Sequence, residues 1–349
     1  MFSTAYLPHI GGAELALKEI TDRIKNVDFD LITTSLGATL KEERIGNVNI
    51  FRVGPKLLYP LSACLKARTL SRNNEYSSIF ALQASYGGGG SWLFKLFNPK
   101  VPFILNIQEG KDLHSQGFFI NFFRKLIIKK ADIIIAISKF LSDYAGAINK
   151  KAKIGIIPNG VDLNKFKPNF SENGKTIITA SRLVPKNGVE DLVEAIYHVK
   201  EKVPDIKLLI IGIGPLEERL KSKAKDLKDT VIFLGKISPD ELPEYLAQAD
   251  IFVRPSRSEG LGTAFLEAMA SGLPIIGTPV GGIPDFLTDG ETGIFCKPSN
   301  SKDLADKILK LIADKPLRQK LSENGRRLVE QKYNWDNIAE EYQKLFISV

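Results

Sequence analysis

The chain has 349 residues, of which 44% are hydrophobic and 25% charged, and its formal net charge is +8. This length favours two domains, and the composition is that of an ordinary globular protein. Two cysteines in different halves and three histidines argue against a zinc site and for a reducing compartment. No apolar run approaches the ~20 residues that span a bilayer, and no signal peptide precedes the first motif, so we expect a cytoplasmic protein.

Charge is unevenly distributed along the chain. Residues 1–170 carry 23 Lys and Arg against 13 Asp and Glu, a net of +10, whereas residues 171–349 carry 25 against 27, a net of −2. A basic first half predicts an anionic partner, which can be a membrane surface, an acidic acceptor or nucleic acid. Because no helix-turn-helix, RNP or zinc-finger pattern is present, nucleic acid ranks last and is not expected as a partner.

Short β-branched runs alternate with helical patterns along the chain, which is typical of parallel sheets built from βαβ units. In the first half, strands are predicted at Phe2–Ala5, Asp30–Thr33, Asn49–Val53, Ile79–Gln83, Phe103–Ile107, Ile133–Ile137 and Ile154–Ile157. In the second half, they are predicted at Thr176–Ala180, Lys207–Ile211, Val231–Leu234, Ile251–Arg254, Pro274–Gly277 and Gly293–Cys296. Either the first strand is unusually short or the native start lies upstream of Met1.

A polar, Pro-containing segment without periodicity, Lys165–Lys175, separates the two halves. We therefore predict an α/β protein with two doubly wound parallel-sheet domains, residues 1–167 and 168–334. Ligands of such domains bind outside the carboxyl ends of the strands, so we expect the site in a cleft between the domains. A last helix, Trp335–Phe346, follows the second sheet.

The segment Arg254–Thr278 reads as strand, glycine loop, helix and strand. Glu259 lies in the loop just before a helix predicted at Thr263–Ser271, and Glu267 lies a little more than one turn inside that helix. Free N–H groups at a helix start favour phosphate, and carboxylates accept hydrogen bonds from sugar hydroxyls. A phosphate and several hydroxyls together describe a nucleotide sugar.

Other loops carry groups suited to a diphosphate. Arg182 and Lys186 lie between a strand and the following helix, where two cations can clamp a diphosphate leaving group. Gly11 and Gly12 open the first helix, and the lack of side chains there allows a phosphate to approach the backbone. Gly214 completes a G-x-G that lacks the third glycine of a dinucleotide fingerprint, so it predicts a tight turn and not an NAD site.

Several motifs resemble those of the retaining family 4 glycosyltransferases (glycosyl transferases group 1), which have the GT-B fold. They are E-x7-E at Glu259–Glu267, Y-L-P-H-I-G-G-A-E at Tyr6–Glu14, P-N-G-V-D at Pro158–Asp162, S-R-L-V-P-K-N-G at Ser181–Gly188, G-I-G-P at Gly212–Pro215 and V-G-G-I-P-D at Val280–Asp285. The resemblance covers nearly the whole chain. It implies transfer of a hexose, with retention, from a nucleoside diphosphate sugar to a hydroxyl of a glycolipid, a lipid-linked acceptor or a polysaccharide precursor. It also implies that the helix within residues 335–349 packs back on the first domain.

The same resemblance assigns roles to individual residues. Glu259 would bind hydroxyls of the donor sugar, and Glu267 would bind the ribose. Arg182 and Lys186 would contact the pyrophosphate and offset the charge that develops as it departs. The remaining donor contacts that the resemblance implies are Gly11, Gly12, Gly214, Lys236, Ile237, Gly260, Leu261, Gly262 and Thr263, with Lys236 and Ile237 near the base.

One departure from the family pattern concerns a histidine that commonly contacts the transferred sugar just after the strand equivalent to Phe103–Ile107. This chain has Q-E-G there. Counting from the strand favours Gln108 as the replacement, whereas matching the residues that follow favours Glu109. Amide and carboxylate can both bond hydroxyls, so both stay candidates. His9 and His114 are predicted to be loop residues.

No metal is expected, and no cofactor besides the nucleotide sugar, which is a substrate. The D-x-D at Asp28–Asp30 is the metal signature of a different glycosyltransferase fold, but here it enters a strand far from any phosphate loop. Two rival functions use the same donor. A GT-B sugar-nucleotide epimerase would need acid and base side chains around the sugar, and a non-catalytic nucleotide-sugar-binding protein would not need both glutamates and both phosphate cations.

The segment Gly117–Lys130 predicts a helix with one broad apolar face. Phe118, Phe119, Phe122, Phe123, Leu126 and Ile127 share that face, Asn121, Arg124, Lys125 and Lys129 gather opposite, and Ile128 and Lys130 break the pattern. Such a face can pack on a sheet or lie on a membrane. The basic first half favours an anionic membrane surface, at roughly 1 kcal/mol per Lys or Arg.

Overall fold

Two α/β units are built on the apolar runs predicted as strands, and both sheets are parallel apart from one edge strand. The computed structural model describes residues 1–8, 11–37, 39–110, 117–168 and 174–349. One unit comprises Met1–Asn159 together with Trp335–Val349, and the other comprises Gly160–Asn334. The predicted fold class, two doubly wound parallel-sheet domains, is confirmed.

The first unit contains the strands β1 (Phe29–Thr33), β2 (Glu42–Ile45), β3 (Val48–Arg52), β4 (Ile79–Leu82), β5 (Phe103–Ile107), β6 (Ile133–Ala136) and β7 (Lys153–Ile156). Its helices up to β7 are α1 (Gly12–Arg23), α2 (Tyr59–Leu70), α3 (Tyr86–Phe97), α4 (Phe118–Lys130) and α5 (Lys139–Ile148). The strands pair in the orders β1-β3-β2 and β4-β5-β6-β7.

Phe2 joins these two groups of strands. It forms parallel bridges to Ile32 on one side and Ala81 on the other, so the predicted strand Phe2–Ala5 is reduced to a single bridging residue. The point at which chain order reverses, between Phe2 and β4, is where doubly wound sheets bind ligands. The antiparallel strand β2, which pairs with β3, was not predicted.

The second unit has a six-stranded parallel sheet in the order β10-β9-β8-β11-β12-β13. These strands are β8 (Thr176–Ala180), β9 (Lys207–Ile211), β10 (Val231–Gly235), β11 (Ile251–Val253), β12 (Ile275–Gly277) and β13 (Ile294–Phe295). The helices are α6 (Val189–Lys202), α7 (Glu217–Lys223), α8 (Leu242–Leu246), α9 (Thr263–Ala270), α10 (Ser301–Ala313) and α11 (Lys315–Lys332). Chain order reverses between β8 and β11, so the loops that follow these two strands lie at the expected ligand position.

A last helix, α12 (Trp335–Ile347), packs in the first unit. The ring of Phe346 lies 5.6 Å from that of Phe29 and 5.5 Å from that of Phe80, centroid to centroid. The side-chain amide of Asn106 donates a hydrogen bond of 2.8 Å to the Tyr342 hydroxyl. Burial of these aromatic side chains, each worth roughly 1.5–3 kcal/mol, makes α12 part of the first unit's core.

Candidate active site

A buried ion pair organises the loop that follows β11. The guanidinium of Arg254 donates a 2.5 Å hydrogen bond to Oε2 of Glu259, and the two residues are only 8% and 7% exposed. Arg254 also donates to Oδ1 of Asn187 at 3.1 Å. The other carboxylate oxygen of Glu259 accepts from the backbone N–H of Gly260 at 3.1 Å. Since an unpaired buried charge would be costly, the contact with Arg254 compensates the burial of the Glu259 carboxylate in this loop.

Two cations lie on the loop that follows β8. The ammonium of Lys186 is 3.9 Å from Oε1 of Glu259, within ion-pair range. Arg182 is exposed, and its guanidinium forms no hydrogen bond or ion pair with any residue that the structure describes. Its carbonyl oxygen accepts a 2.7 Å hydrogen bond from Asn187, the residue that also contacts Arg254. The loop is therefore fixed by Asn187 while Arg182 stays available to an anionic ligand.

Glu267 lies on the second turn of α9 and is partly exposed. Desolvation raises the pKa of its carboxyl to about 7, and the positive charge of Arg254 acts in the opposite direction. A carboxyl with this pKa is close to half ionised at neutral pH, so it can donate or accept a hydrogen bond. Perturbed carboxyl groups of this kind are typical of functional sites.

Two glycines allow the site loops to approach each other backbone to backbone. Gly188 and Gly281 both have left-handed φ values, +68° and +57°. A Cβ at Gly188 would lie 2.0 Å from the carbonyl oxygen of Pro255, and one at Gly281 would lie 1.9 Å from that of Glu259. No side chain can be accommodated at such distances, so both positions require glycine. The position of Glu259 thus depends on contacts from both sides.

The remaining predicted donor contacts of the second unit lie on adjoining loops. Leu261 is buried, so a ligand would meet its backbone and not its side chain. Helix α9 begins at Thr263 without a side-chain cap on Gly262, which leaves backbone N–H groups at the helix start. Gly260 forms part of the same loop and already donates to Glu259.

The loops after β9 and β10 join the same surface. Gly214 lies against the β8 loop, since a Cβ there would be 2.4 Å from the carbonyl oxygen of Leu183. The backbone N–H of Gly212 donates a 2.7 Å hydrogen bond to the carbonyl of Gly235, the residue before Lys236 and Ile237. Of that pair, Lys236 is exposed and Ile237 is half-buried.

In the first unit, Gln108 and Glu109 have different environments. Gln108 donates to the side-chain oxygen of Asn106 at 2.7 Å and accepts from the side chain of Asn159 at 3.0 Å, so both ends of its amide are occupied. Glu109 accepts a 2.6 Å hydrogen bond from the N–H of Ala84 through Oε1, while its buried Oε2 has no partner among the described residues. Desolvation raises the pKa of Glu109, against the lowering effect of the Ala84 N–H. Of the two candidates, Glu109 has the free hydrogen-bonding capacity.

Gly11 and Gly12 are exposed at the start of α1. A Cβ at Gly12 would meet nothing within 4 Å, and one at Gly11 would meet only the flexible side chain of Glu14. Packing within the unit therefore does not explain why both positions are glycine. The close approach of a ligand to this backbone would explain it. His9 and His114 lie outside the described residues.

The D-x-D residues have structural partners. Asp28 pairs with Arg44 at 2.9 Å, and Asp30 accepts hydrogen bonds from Asn49 at 2.8 Å and from Tyr76. Within the described part of the chain, no group of three or more His, Cys, Asp or Glu side chains is placed to hold a metal ion. No helix in that part combines the length and apolarity needed to cross a membrane.

Helix α4 leaves the predicted aromatic face exposed, but two of its residues, Arg124 and Ile128, are placed differently from the prediction. Arg124, expected on the polar face, is 3% exposed, and Ile128, expected to break the pattern, is fully buried beside Ile127. The Arg124 guanidinium donates a 2.8 Å hydrogen bond to Asn121, which helps to satisfy a buried charge. The phenylalanines at 118, 119, 122 and 123 are all exposed. The helix thus buries the side chains of Ile127 and Ile128 within the unit and leaves its phenylalanine side chains exposed to solvent.

Comparison with known proteins agrees with this architecture. The model of Glycosyltransferase Family 4 matches residues 10–165, and that of Glycosyl transferases group 1 matches residues 161–328. N-acetyl-alpha-D-glucosaminyl L-malate synthase of Bacillus anthracis is 32% identical over 368 residues, 98% of this chain and 95% of that protein. A GDP-mannose-dependent alpha-(1-6)-phosphatidylinositol monomannoside mannosyltransferase of Mycobacterium tuberculosis is 32% identical over 60% of each chain.

A solved structure, Anabaena HepE in complex with UDP and glucose, superposes with a TM-score of 0.82 at 21% identity and covers 100% of both chains. This chain has two α/β domains with parallel sheets, and they match the fold of that structure, which is the GT-B fold. The chain belongs to family 4 of the glycosyltransferases, as its motifs predicted.

Three residues of this site were not identified from the sequence. Arg254 was assigned only as the end of a strand, and Asn187 and Gly281 were part of motifs without an individual role. A signal existed for Arg254, because a charged residue that ends a fully apolar strand must find a partner if it is buried. For Asn187 and Gly281 the contacts join residues far apart in the chain, so no local pattern indicates them.

We predict that Gly281→Ala destabilises the second unit by at least ~2 kcal/mol more than Gly290→Ala. Both glycines have left-handed φ values, but a Cβ at Gly290 meets nothing within 4 Å. The substitution Gly290→Ala therefore costs only the backbone strain and adds no steric clash. Chemical denaturation followed by circular dichroism measures the difference. Equal destabilisation by the two substitutions would show that Gly281 does not hold Glu259 in place.

Proposed function

We propose that this chain is a retaining glycosyltransferase that moves a hexose from a nucleoside diphosphate sugar to an acceptor hydroxyl. The observation that carries the proposal is the arrangement around Glu259, a buried carboxylate held by Arg254, with Lys186 3.9 Å away and Glu267 on the adjoining helix. The solved relative in complex with UDP and glucose supports a donor of this class.

In the proposed reaction, the bond between the anomeric carbon and the β-phosphate oxygen breaks, and the acceptor oxygen bonds to the same face of the sugar. The acceptor proton passes to the departing phosphate oxygen, which becomes the base. Glu259 accepts hydrogen bonds from donor-sugar hydroxyls, and Glu267 from the ribose. Glu109, with its free Oε2, is proposed to bind a hydroxyl on the side of the first domain.

Arg182 and Lys186 are proposed to neutralise the diphosphate as it leaves. The guanidinium of Arg182 has no partner among the described residues, and the ammonium of Lys186 lies 3.9 Å from Glu259, so both are positioned for charge that develops on a ligand. Positively charged groups fixed before the reaction stabilise such charge without reorganisation. We therefore propose that transfer does not require a divalent metal.

The test is transfer and hydrolysis measured with a panel of uridine, guanosine and adenosine diphosphate sugars. We expect Lys186→Ala and Glu267→Ala each to remove at least ~2 kcal/mol of transition-state stabilisation, since each loses a charged hydrogen bond in a desolvated site. Lys223→Ala and Glu194→Ala are matched controls, because that exposed pair at 2.8 Å contributes little. Addition of a chelator should leave the wild-type rate unchanged.

Different results refute different parts of the proposal. Near-normal turnover of either site variant at saturating donor would refute the assignment of the donor site. Loss of transfer on chelation, with recovery on adding magnesium or manganese, would refute the account of the leaving group. Binding of a nucleotide sugar without transfer or hydrolysis favours a non-catalytic protein, and a change of sugar configuration favours an epimerase.

We further propose that α4 associates with an anionic membrane surface. Phe118 and Phe122 are 78% and 48% exposed, and Lys125 and Lys129 are exposed on the same helix. Aromatic side chains beside lysines suit the interface of a membrane with anionic lipids. The name of the mycobacterial relative, which includes a phosphatidylinositol monomannoside, supports an acceptor in such a membrane.

We expect the protein to float with liposomes that contain anionic lipid and less with neutral liposomes. Phe118→Asp and Phe122→Asp should each reduce flotation several-fold, because a charge at the interface opposes insertion of the aromatic face. Ile347→Asp is the control, as Ile347 is 68% exposed on a different helix. Absence of binding to both kinds of liposome at low salt would favour a soluble acceptor.

A further inference from the structure

Four buried polar side chains of the first unit are joined end to end by hydrogen bonds, and we call this series the amide chain. The side-chain amide of Asn159 donates to Oε1 of Gln108 at 3.0 Å, and the amide of Gln108 donates to Oδ1 of Asn106 at 2.7 Å. The amide of Asn106 donates in turn to the hydroxyl of Tyr342 at 2.8 Å. None of the four residues is more than 8% exposed, so these hydrogen bonds lie away from solvent, where they strengthen one another.

The amide chain connects segments that are far apart in the sequence. Asn106 lies on β5, Gln108 follows that strand, and Asn159 ends the first segment of the unit. Tyr342 lies on α12, 236 residues from Asn106. Apolar side chains of similar size could fill this space without leaving any group that needs a partner. A paired buried network instead fixes one arrangement of the segments that it joins, here the loop after β5 against α12.

Glu109 is the next residue along that loop. Its Oε1 accepts a 2.6 Å hydrogen bond from the N–H of Ala84, and its Oε2 is buried without a partner among the described residues. Burial raises the pKa of this carboxyl, whereas the N–H of Ala84 and, to a smaller extent, the backbone of Gln108 lower it. Glu109 also lines a cavity of about 780 Å³ in the first unit. Gln108 therefore belongs to the amide chain through its side chain and to the surroundings of Glu109 through its backbone.

We propose that the amide chain positions Glu109 for a hydroxyl of the transferred sugar, with Gln108 as a positioning residue and Tyr342 as the end that fixes the chain to α12. The proposal rests on the proposed function and deepens it, since it assigns different roles to two residues that were alternatives for one contact. Both ends of the Gln108 amide are occupied within the chain, whereas Glu109 keeps a free oxygen. The last helix thereby becomes part of the site.

The substitution Tyr342→Phe removes the end of the amide chain and little else. The ring that remains keeps its packing against Phe80 and Phe346, at centroid distances of 6.3 Å and 6.1 Å. The amide of Asn106 is left with a longer contact of 3.3 Å to the carbonyl of Ile135. Tyr59→Phe is the matched control, because Tyr59 is fully buried in the same unit and its hydroxyl lies outside the amide chain.

Hydrogen exchange of the Ala84 amide reports the position of Glu109 without any ligand. We expect Tyr342→Phe to accelerate this exchange roughly fivefold, the effect of weakening one hydrogen bond, and Tyr59→Phe to leave it unchanged. Mass spectrometry with electron-transfer fragmentation resolves the amide. The N–H of Leu82, which donates to the carbonyl of Phe2 at 2.9 Å, is the internal control.

Calorimetric titration then tests the contact with the sugar. Tyr342→Phe and Gln108→Met should each weaken binding of UDP-glucose or GDP-mannose several-fold and leave the affinity for UDP or GDP unchanged, because the diphosphates lack the sugar. A general loss of structure would weaken both classes of ligand alike. The double variant should lose no more affinity than the weaker-binding single variant, since both substitutions interrupt one chain.

Three results would overturn the proposal: unchanged exchange at Ala84 in Tyr342→Phe, equal acceleration in Tyr59→Phe, or losses of sugar affinity that add in the double variant. Additive losses would mean that Gln108 contacts the sugar itself. The exchange measurement contains no nucleotide sugar, so its outcome is separate from that of the proposed function. Accelerated exchange in a protein that neither binds nor transfers a nucleotide sugar would refute the proposed function alone, and transfer with unchanged exchange would refute the positioning role alone.

Discussion

The buried contact between Arg254 and Glu259 is the interaction on which the candidate site depends. Arg254 neutralises Glu259, fixes Asn187 and through it the loop that carries Arg182, and lowers the pKa of Glu267. Removal of one partner from a buried ion pair costs more than the pair contributes, because the other charge is left unpaired. The arginine thus pairs with one carboxylate, lowers the pKa of a second carboxyl group and fixes the position of a loop, although sequence motifs draw attention to the carboxylates alone.

In both units, the polar groups of interest lie on loops next to the point where the order of strands along the chain reverses. In the second unit, the ion pair and the two cations follow β8 and β11, between which chain order reverses. In the first unit, the cavity with Glu109 opens at the corresponding reversal, beside the single bridging residue Phe2. The loops of the second unit are rich in charge, whereas large apolar side chains line the cavity of the first unit.

Much of this could be predicted from sequence where the signal is local. The strands Phe103–Ile107 and Lys207–Ile211 each have four apolar residues out of five, and the structure has the same bounds. The strand β2 was missed because its residues, E-E-R-I, alternate at an exposed edge, although Gly46-Asn47 marks a hairpin turn. Arg124 was misplaced because a helical projection shows which residues share a face but not which face packs inward. The partner of Arg254 is likewise fixed by tertiary contacts.

Binding of a nucleotide sugar to the surface around Arg254 and Glu259, with Glu267 as an ionised hydrogen-bond acceptor, is tested most directly by the pH dependence of affinity. Calorimetric titration with UDP-glucose and GDP-mannose suits this test, because their diphosphate diesters do not titrate near neutral pH. A carboxyl with a pKa of about 7 is protonated below that value, so wild-type affinity should rise up to tenfold per pH unit until pH 7 and then level off. In Glu267→Gln the affinity should be independent of pH. A pH-independent wild type, or the same rise in both proteins, would contradict the account.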